Sequence, residues 1–257
     1  MDQIRTYKEG RRAVIVLSQP QKRNVLSPLM IKELTAAFKD HTDDHEVKAI
    51  VLRADGTTFC AGADLGFLRE MQQYGYAENV ADSTALRDLY YQLYTCPKPV
   101  IAEVQGHAIA GGCGLLTVCD FVFAVPEAKF GYTEVRIGFI PAIVMSFLVR
   151  RIGGGHARRL LLGGELIGAE EACNLGLITK VVTKDSLTQA VDDFVTQLLK
   201  SNSAEAMAMT KQMLAEVQSM TLVDALSHGV EINAKARNTS DCRRGIDAFL
   251  RKENLEW

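Results

Sequence analysis

Gly106-His107-Ala108-Ile109-Ala110-Gly111-Gly112-Cys113-Gly114-Leu115 decides the reading of this chain. It follows Pro99-Val100-Ile101-Ala102, an apolar run of strand type, and passes into an apolar stretch with a helical pattern. An earlier segment, Phe59-Cys60-Ala61-Gly62-Ala63-Asp64-Leu65, repeats the arrangement after the apolar run Ala49-Ile50-Val51-Leu52. A strand that turns through small residues into a helix leaves backbone N–H groups without partners at the helix start. Two such turns facing each other make a two-donor cradle for a developing oxyanion. Further along, Phe130-Gly131-Tyr132-Thr133-Glu134-Val135 supplies a carboxylate. A carboxylate beside an oxyanion cradle points to proton transfer next to a carbonyl.

Outward from these segments the chain alternates strand and helix. Residues 4–8 and 12–18 read as paired strands around a turn at Glu9-Gly10-Arg11. Residues 28–42 place Leu29, Ile31, Leu34, Ala37 and Phe38 at helical spacing, with Ser27 as N-cap and Pro28 in the first turn. Strands are expected at 48–53, 99–105 and 121–125, and a helix at 111–119. Residues 64–95 read as helix-rich with a polar middle near Gly75 to Asp82, where mobility is expected. From about residue 155 the pattern is mostly helical, apart from Val181-Val182. This order implies an α/β fold with parallel strands and right-handed crossovers. The stretch from Ser203 to Trp257 is helical and too thin to build a core alone.

Composition narrows the function. A chain of 257 residues can bury one large core, and 47% hydrophobic with 23% charged residues is ordinary for a globular protein. A net charge of −2 gives no overall attraction to nucleic acid or anionic membrane. No apolar run has the length of a membrane span. The N-terminal Met1-Asp2-Gln3-Ile4-Arg5 lacks the apolar core of a signal peptide, so a cytoplasmic location is the expectation. The six cysteines form no C-x-x-C pair and read as buried thiols, with no metal site among them. His107 has no Gly-x-Ser-x-Gly partner and reads as structural. Gly111-Gly112-Cys113-Gly114 has neither dinucleotide-fingerprint spacing nor a P-loop lysine.

These residues, with Lys22-Arg23-Asn24-Val25-Leu26, Lys98-Pro99-Val100-Ile101-Ala102, Cys119-Asp120 and Gly176-Leu177-Ile178, resemble the crotonase superfamily of enoyl-CoA hydratases and isomerases over nearly the whole length. The resemblance implies a spiral of β-β-α turns in residues 1–200, carrying the CoA and acyl pocket. Residues 201–257 would be a helical oligomerisation region, giving a homotrimer or a dimer of trimers. It implies an acyl-CoA thioester as substrate, with coenzyme A part of that substrate and no separate cofactor. The backbone amides of Ala63 and Gly111 would form the oxyanion hole, and Glu134 would be the acid/base. Ala61, Asp64, Leu65 and Gly114 would line the substrate site, with Asp64 also read as a helix cap. Lys22 and Arg23 would meet the nucleotide, and Phe249 and Lys252 would reach CoA across a subunit interface.

One departure matters. Hydratases with two catalytic glutamates carry the second at the position of Gly114. Whole-chain resemblance implies hydration of a 2-enoyl-CoA; a single glutamate also suits Δ3,Δ2-enoyl-CoA isomerisation. An acyl-CoA hydrolase or decarboxylase, and a non-catalytic acyl-CoA- or RNA-binding relative, are the other readings. Glu78 and Asp82 are candidates for a substitute carboxylate. Glu103, in a strand expected to be buried, needs a partner, with Arg151 and Lys98 as options. Pro141-Ala142-Ile143-Val144-Met145, with Phe139 and Phe147, reads either as an acyl-pocket wall or as helix core.

Overall fold

A hairpin of β1 (Ile4–Glu9) and β2 (Arg12–Leu17) opens the chain, turning at Gly10 with φ +58°. The computed structural model describes residues 2–257. β2 alternates with nothing: residues 13–17 are all buried, as expected of a strand covered on both faces. Helix α1 (Pro28–Asp43) starts as its sequence predicts, with Ser27 Oγ accepting the Met30 N–H at 3.1 Å. It buries Met30, Ile31, Leu34, Ala37 and Phe38, each large side chain contributing about 1.5–3 kcal/mol of transfer free energy.

Three similar turns then follow. β3 (Ala49–Ala54) leads to β4 (Thr58–Cys60) and helices α2 (Leu65–Met71) and α3 (Tyr76–Thr95). β5 (Val100–Val104) leads to β6 (His107–Ile109) and α4 (Gly111–Val118). β7 (Phe121–Ala124) leads to β8 (Lys129–Gly131) and α5 (Ala142–Gly163). The first strand of each turn enters a six-stranded sheet, ordered β1-β2-β3-β5-β7-β10, where β10 is Lys180–Val181. The second enters a four-stranded sheet, ordered β4-β6-β8-β9, where β9 is Ile167–Gly168. Apart from β1–β2 and β8–β9, all neighbours are parallel. The spiral of β-β-α turns is thus present, but the short strands β4, β6, β8 and β9 escape a sequence reading. Runs of two or three residues are too short to show a period, and they persist because their neighbours pair with them.

One expectation about the helices needs revising, and one helix is interrupted. Gly75 is the N-cap of α3 rather than the middle of a weak stretch, and Glu78 accepts its N–H at 2.7 Å. α5 is broken at Gly153, whose φ 75° and ψ 161° lie outside the helical region.

Glu103 is 8% exposed, and its partners are neither Arg151 nor Lys98. Arg53 Nε donates to it at 2.7 Å and Thr188 Oγ1 at 2.7 Å. Arg53 also pairs with Asp192 at 2.8 Å, and Arg12 reaches the same carboxylate at 2.9 Å. The pairing follows from register, since β3 and β5 are adjacent strands. Lys98 instead donates to the carbonyls of His41 and Asp44. Removing one member of a buried ion pair strands the other, at a cost of about 3–5 kcal/mol. Arg53→Met is therefore expected to lower unfolding stability by about 3 kcal/mol, read from the midpoint of urea denaturation. A shift within error would show that Thr188 alone satisfies Glu103.

After α6 (Ala169–Asn174) and α7 (Leu187–Ser201), the chain ends in α8 (Ala204–Glu216), α9 (Leu222–Arg237) and α10 (Ser240–Arg251). α8 is tied to the spiral by Lys211, which pairs with Asp120 at 2.6 Å and donates to the carbonyls of Leu93 and Lys98. α8 and α9 contribute no fully buried residue, and Leu214, Leu222, Val223, Leu226 and Val230 are exposed. Among the described residues, no helix is long and apolar enough to cross a membrane.

Candidate active site

The four-stranded sheet gathers the site. β4 and β6 are parallel neighbours, with Thr58 opposite His107 and Cys60 opposite Ala108. β6 and β8 are parallel neighbours, with Ala108 opposite Phe130 and Ile109 opposite Gly131. The chain leaves β4 toward Ala63, β6 toward Gly111 and β8 toward Glu134. All three exits lie at the carboxyl ends of adjacent parallel strands, where α/β folds place their ligands.

Close backbone approach makes the two glycine turns meet. A Cβ on Gly62 would lie 2.9 Å from Ile109 O and 3.6 Å from Gly111 N. One on Gly112 would lie 2.3 Å from Cys60 O. Only glycine fits either position, and Gly62 also has φ +90°. The loop from Gln19 to Leu26 laces the first turn from the other side. Arg23 O accepts the Ala61 N–H at 3.0 Å, and Gly62 O accepts the Leu26 N–H at 2.7 Å. Fully buried Asn24 fastens that loop, accepting from Gln19 N at 2.8 Å and donating to Asp55 O and Thr58 O at 2.9 Å.

Among the described residues, neither the Ala63 N–H nor the Gly111 N–H has an acceptor. Gly111 begins α4, so the helix dipole adds positive potential at its amide. The residue before it is strained. Ala110 has φ 51° and ψ −125°, a region that glycine alone enters freely, at a cost of about 1–3 kcal/mol. Ala110 N donates to Gly131 O at 2.8 Å, and the fully buried Tyr90 Oη donates to Gly111 O at 2.7 Å. At the far end of α4, Arg151 donates to the carbonyls of Thr117 and Cys119 at 3.1 and 2.5 Å.

Glu134 opens a 3-10 turn (Glu134–Ile137) that ends at Gly138, φ +75°. Just before it, buried Tyr132 bonds Thr117 Oγ1 at 2.5 Å and ties the strand exit to α4. Glu134 Oε2 is shielded from solvent and has no hydrogen-bond partner among the described residues. Burial pushes its carboxyl above the usual glutamate range, partly opposed by its own backbone N–H. A shielded carboxylate oxygen without a protein partner, on the strand exit next to those of the two free amides, has the chemistry that proton transfer needs.

The remaining sequence candidates divide. Asp64 caps α2, accepting from Gly66 N at 2.8 Å and Phe67 N at 3.2 Å. Lys22 and Arg23 are exposed beside the first turn, Arg23 with φ 54°, and form no ion pair among the described residues. The side chain of Leu65 lies outside the described part of the structure. Phe249 is 81% exposed, and Lys252 is the left-handed cap of α10. α10 packs on α8 and α9, so within one chain these two are not brought to the cradle. Glu78 is used as a cap, and Asp82 is only half-buried on α3. Val144 and Phe147 face inward, but Phe139 is 55% exposed and walls nothing within the chain. Ile143 lines a cleft with Tyr76, Val80 and Thr84 of α3. His107 accepts the Lys129 N–H and is structural. Among the described residues, no three His, Cys, Asp or Glu side chains gather as a metal site would require.

Tyr90 and Ala110, which adjoin Gly111, are not singled out by the sequence. Tyr90 shares a helical stripe with Leu89 and Leu93, which reads as plain core, and nothing local marks Ala110 as strained.

The family profile described as enoyl-CoA hydratase/isomerase matches residues 8–257. The chain belongs to that family. A Thermus thermophilus relative, provisionally named an enoyl-CoA hydratase, is 40% identical over 245 residues, covering 95% of this chain and 96% of its own. The short-chain-enoyl-CoA hydratase of Clostridium acetobutylicum is 30% identical over 256 residues, covering 97% and 95%. The crystal structure of an enoyl-CoA hydratase from Shewanella pealeana superposes with a TM-score of 0.93 at 31% identity, covering 99% of this chain and 96% of that one. The family membership and the spiral fold of this enoyl-CoA hydratase/isomerase relative agree with the resemblance that its motifs carry.

Proposed function

We propose that the protein adds water to a 2-enoyl-CoA, giving a 3-hydroxyacyl-CoA. The carrying observation is the Glu134 carboxylate, with Oε2 unpartnered, on the strand exit next to those that lead to the free amides of Ala63 and Gly111. In this reading a water oxygen bonds to C3 and its proton passes to Glu134. The double-bond electrons move onto the thioester oxygen, which the two amides hold as an enolate. Glu134 then returns the proton to C2 as the enolate collapses. One preorganised donor of this kind is worth about 3–4 kcal/mol of barrier. The thioester itself acidifies C2, so the chemistry calls on no metal, flavin or nicotinamide. Lys22 and Arg23 are proposed to pair with CoA phosphates. The exposed apolar faces of α8 to α10 support assembly as a homotrimer or dimer of trimers, with Phe249 and Lys252 meeting CoA of a neighbouring subunit. A cytoplasmic location is part of the same proposal.

A second reading is favoured by one observation. A Cβ on Gly114 would lie 2.5 Å from Val144 Cγ2 and 2.7 Å from Tyr90 Oη, so the space for a second carboxylate is closed. One carboxylate suffices for Δ3,Δ2 isomerisation: Glu134 takes a proton from C2, the amides hold the dienolate, and the proton returns at C4. Incubation with crotonyl-CoA and 3-hexenoyl-CoA, followed by mass spectrometry, separates the readings. A mass gain of one water on crotonyl-CoA supports hydration. Conversion of 3-hexenoyl-CoA to its conjugated isomer, with crotonyl-CoA untouched, replaces it by isomerisation.

Both reactions need Glu134 ionised at the start. Its carboxyl is raised by burial, so kcat/KM is expected to rise with pH along a limb above the ordinary glutamate value of 4.5. The pH-rate profile checks this; activity already at its plateau at pH about 5 would place the working base elsewhere.

A further inference from the structure

The first turn of α4 carries a stress and a fastening that the reaction as described does not use. Ala110 holds φ 51°, ψ −125° directly before the Gly111 amide. Tyr90 Oη donates to Gly111 O at 2.7 Å. The same oxygen lies 3.2 Å from where a Cβ on Gly111 would stand, and 2.7 Å from one on Gly114. The Tyr90 ring is fully buried and set edge-on to Phe147, with centroids 6.4 Å apart and planes at 88°. It cannot swing aside without unpacking α3 from α5. Burial first, then the neighbouring Cys60 and Glu134, holds the phenol well above its usual range, so it stays a neutral donor at working pH.

We propose that Tyr90 is a positioning residue: its hydroxyl clamps the strained Ala110–Gly111 turn so that the Gly111 N–H faces the thioester oxygen, while its bulk beside Gly114 confines the site to one carboxylate. The inference rests on the reading of Ala63 and Gly111 as oxyanion donors. Tyr90 touches no reacting atom; it acts through Gly111, whose carbonyl it holds on the far side of the same Cα from the Gly111 N–H. The clamp matters most when charge develops on the thioester oxygen, so its loss bears on kcat more than on KM.

Tyr90→Phe removes the hydroxyl and keeps the ring. The expected result is a fall in kcat of about tenfold with KM within about twofold, and a pH limb that does not move because Glu134 is untouched. A second readout is direct. Acetoacetyl-CoA, a β-keto thioester, absorbs in the near ultraviolet as its enolate, and oxyanion donors favour that form when it is bound. Tyr90→Phe should weaken its ionisation on the protein by a similar factor. Ala110→Gly holds the same φ and ψ without strain. Added to Tyr90→Phe, it should therefore restore part of the lost kcat, since both act on one turn.

Wild-type kcat and wild-type enolate absorbance in Tyr90→Phe would overturn the proposal, as would a double variant that recovers nothing. Should Tyr90→Phe alone fail to fold, the double variant with the relaxed turn decides: lowered kcat at unchanged KM supports the clamp, and wild-type kcat overturns it. Wild-type protein that turns over an enoyl thioester without favouring the acetoacetyl-CoA enolate would instead remove the oxyanion reading itself.

Discussion

Glu134→Gln is expected to lower kcat by about 10²–10⁴-fold, the usual worth of a positioned acid/base, while binding of a CoA thioester survives. The amide keeps the shape of the side chain and loses the proton chemistry. Stability gives an independent check. Burial raises the folded-state pKa of this carboxyl, so its ionised form is disfavoured by folding. A neutral glutamine escapes that cost. Relative to wild type, Glu134→Gln should gain stability above the raised pKa, and the gain should vanish below the ordinary value of 4.5, where both side chains are neutral. Steady-state kinetics, a titration with a non-reacting CoA thioester and melting curves across pH test the three parts. Retention of wild-type turnover would end the assignment of Glu134 as the proton carrier.

Gly114→Glu, which restores the second carboxylate of two-glutamate hydratases, is expected to damage the fold rather than improve hydration. The added Cβ alone would sit 2.5 Å from Val144 Cγ2 and 2.7 Å from Tyr90 Oη. Overpacking of this kind costs about 1–3 kcal/mol. The new carboxylate would also be buried against Tyr90 and Val144, with no cation among the groups that press on position 114. A fall of more than 3 kcal/mol is therefore expected, of order the two costs together, with a lower melting temperature and loss of turnover. A well-folded Gly114→Glu protein with faster hydration would show that Val144 and Tyr90 yield, and that the single-carboxylate site is not enforced by packing.

Much of the molecule was legible along the chain because it depends on local chemistry. Ser27 and Pro28 announce α1, Gly10 the first hairpin, and the apolar runs at 49–54, 100–104 and 121–124 the parallel core. Asp64 reads as a cap and is one. The glycine turns and Glu134 could be proposed as site residues in advance because oxyanion chemistry needs close backbone approach and a carboxylate, and few residue types supply either. Glu103 shows the opposite case. Its need for a partner follows from burial, but Arg53 becomes that partner only through the neighbouring positions of β3 and β5.

By itself, then, the sequence determined the α/β class, the major strands and helices, the family and the kind of atom presented at the site. The tertiary structure decided which turns face one another. β4, β6 and β8 are three residues each, too short to declare themselves, yet their pairing sets side by side the strand exits that lead to Ala63, Gly111 and Glu134. It also decided that Tyr90 and Val144 close the place beside Gly114, and that Ala110 is held in a strained turn. The physical reason is range: capping, turning and periodicity act over a few residues, whereas these contacts join segments far apart in the chain and exist only once the sheets have assembled.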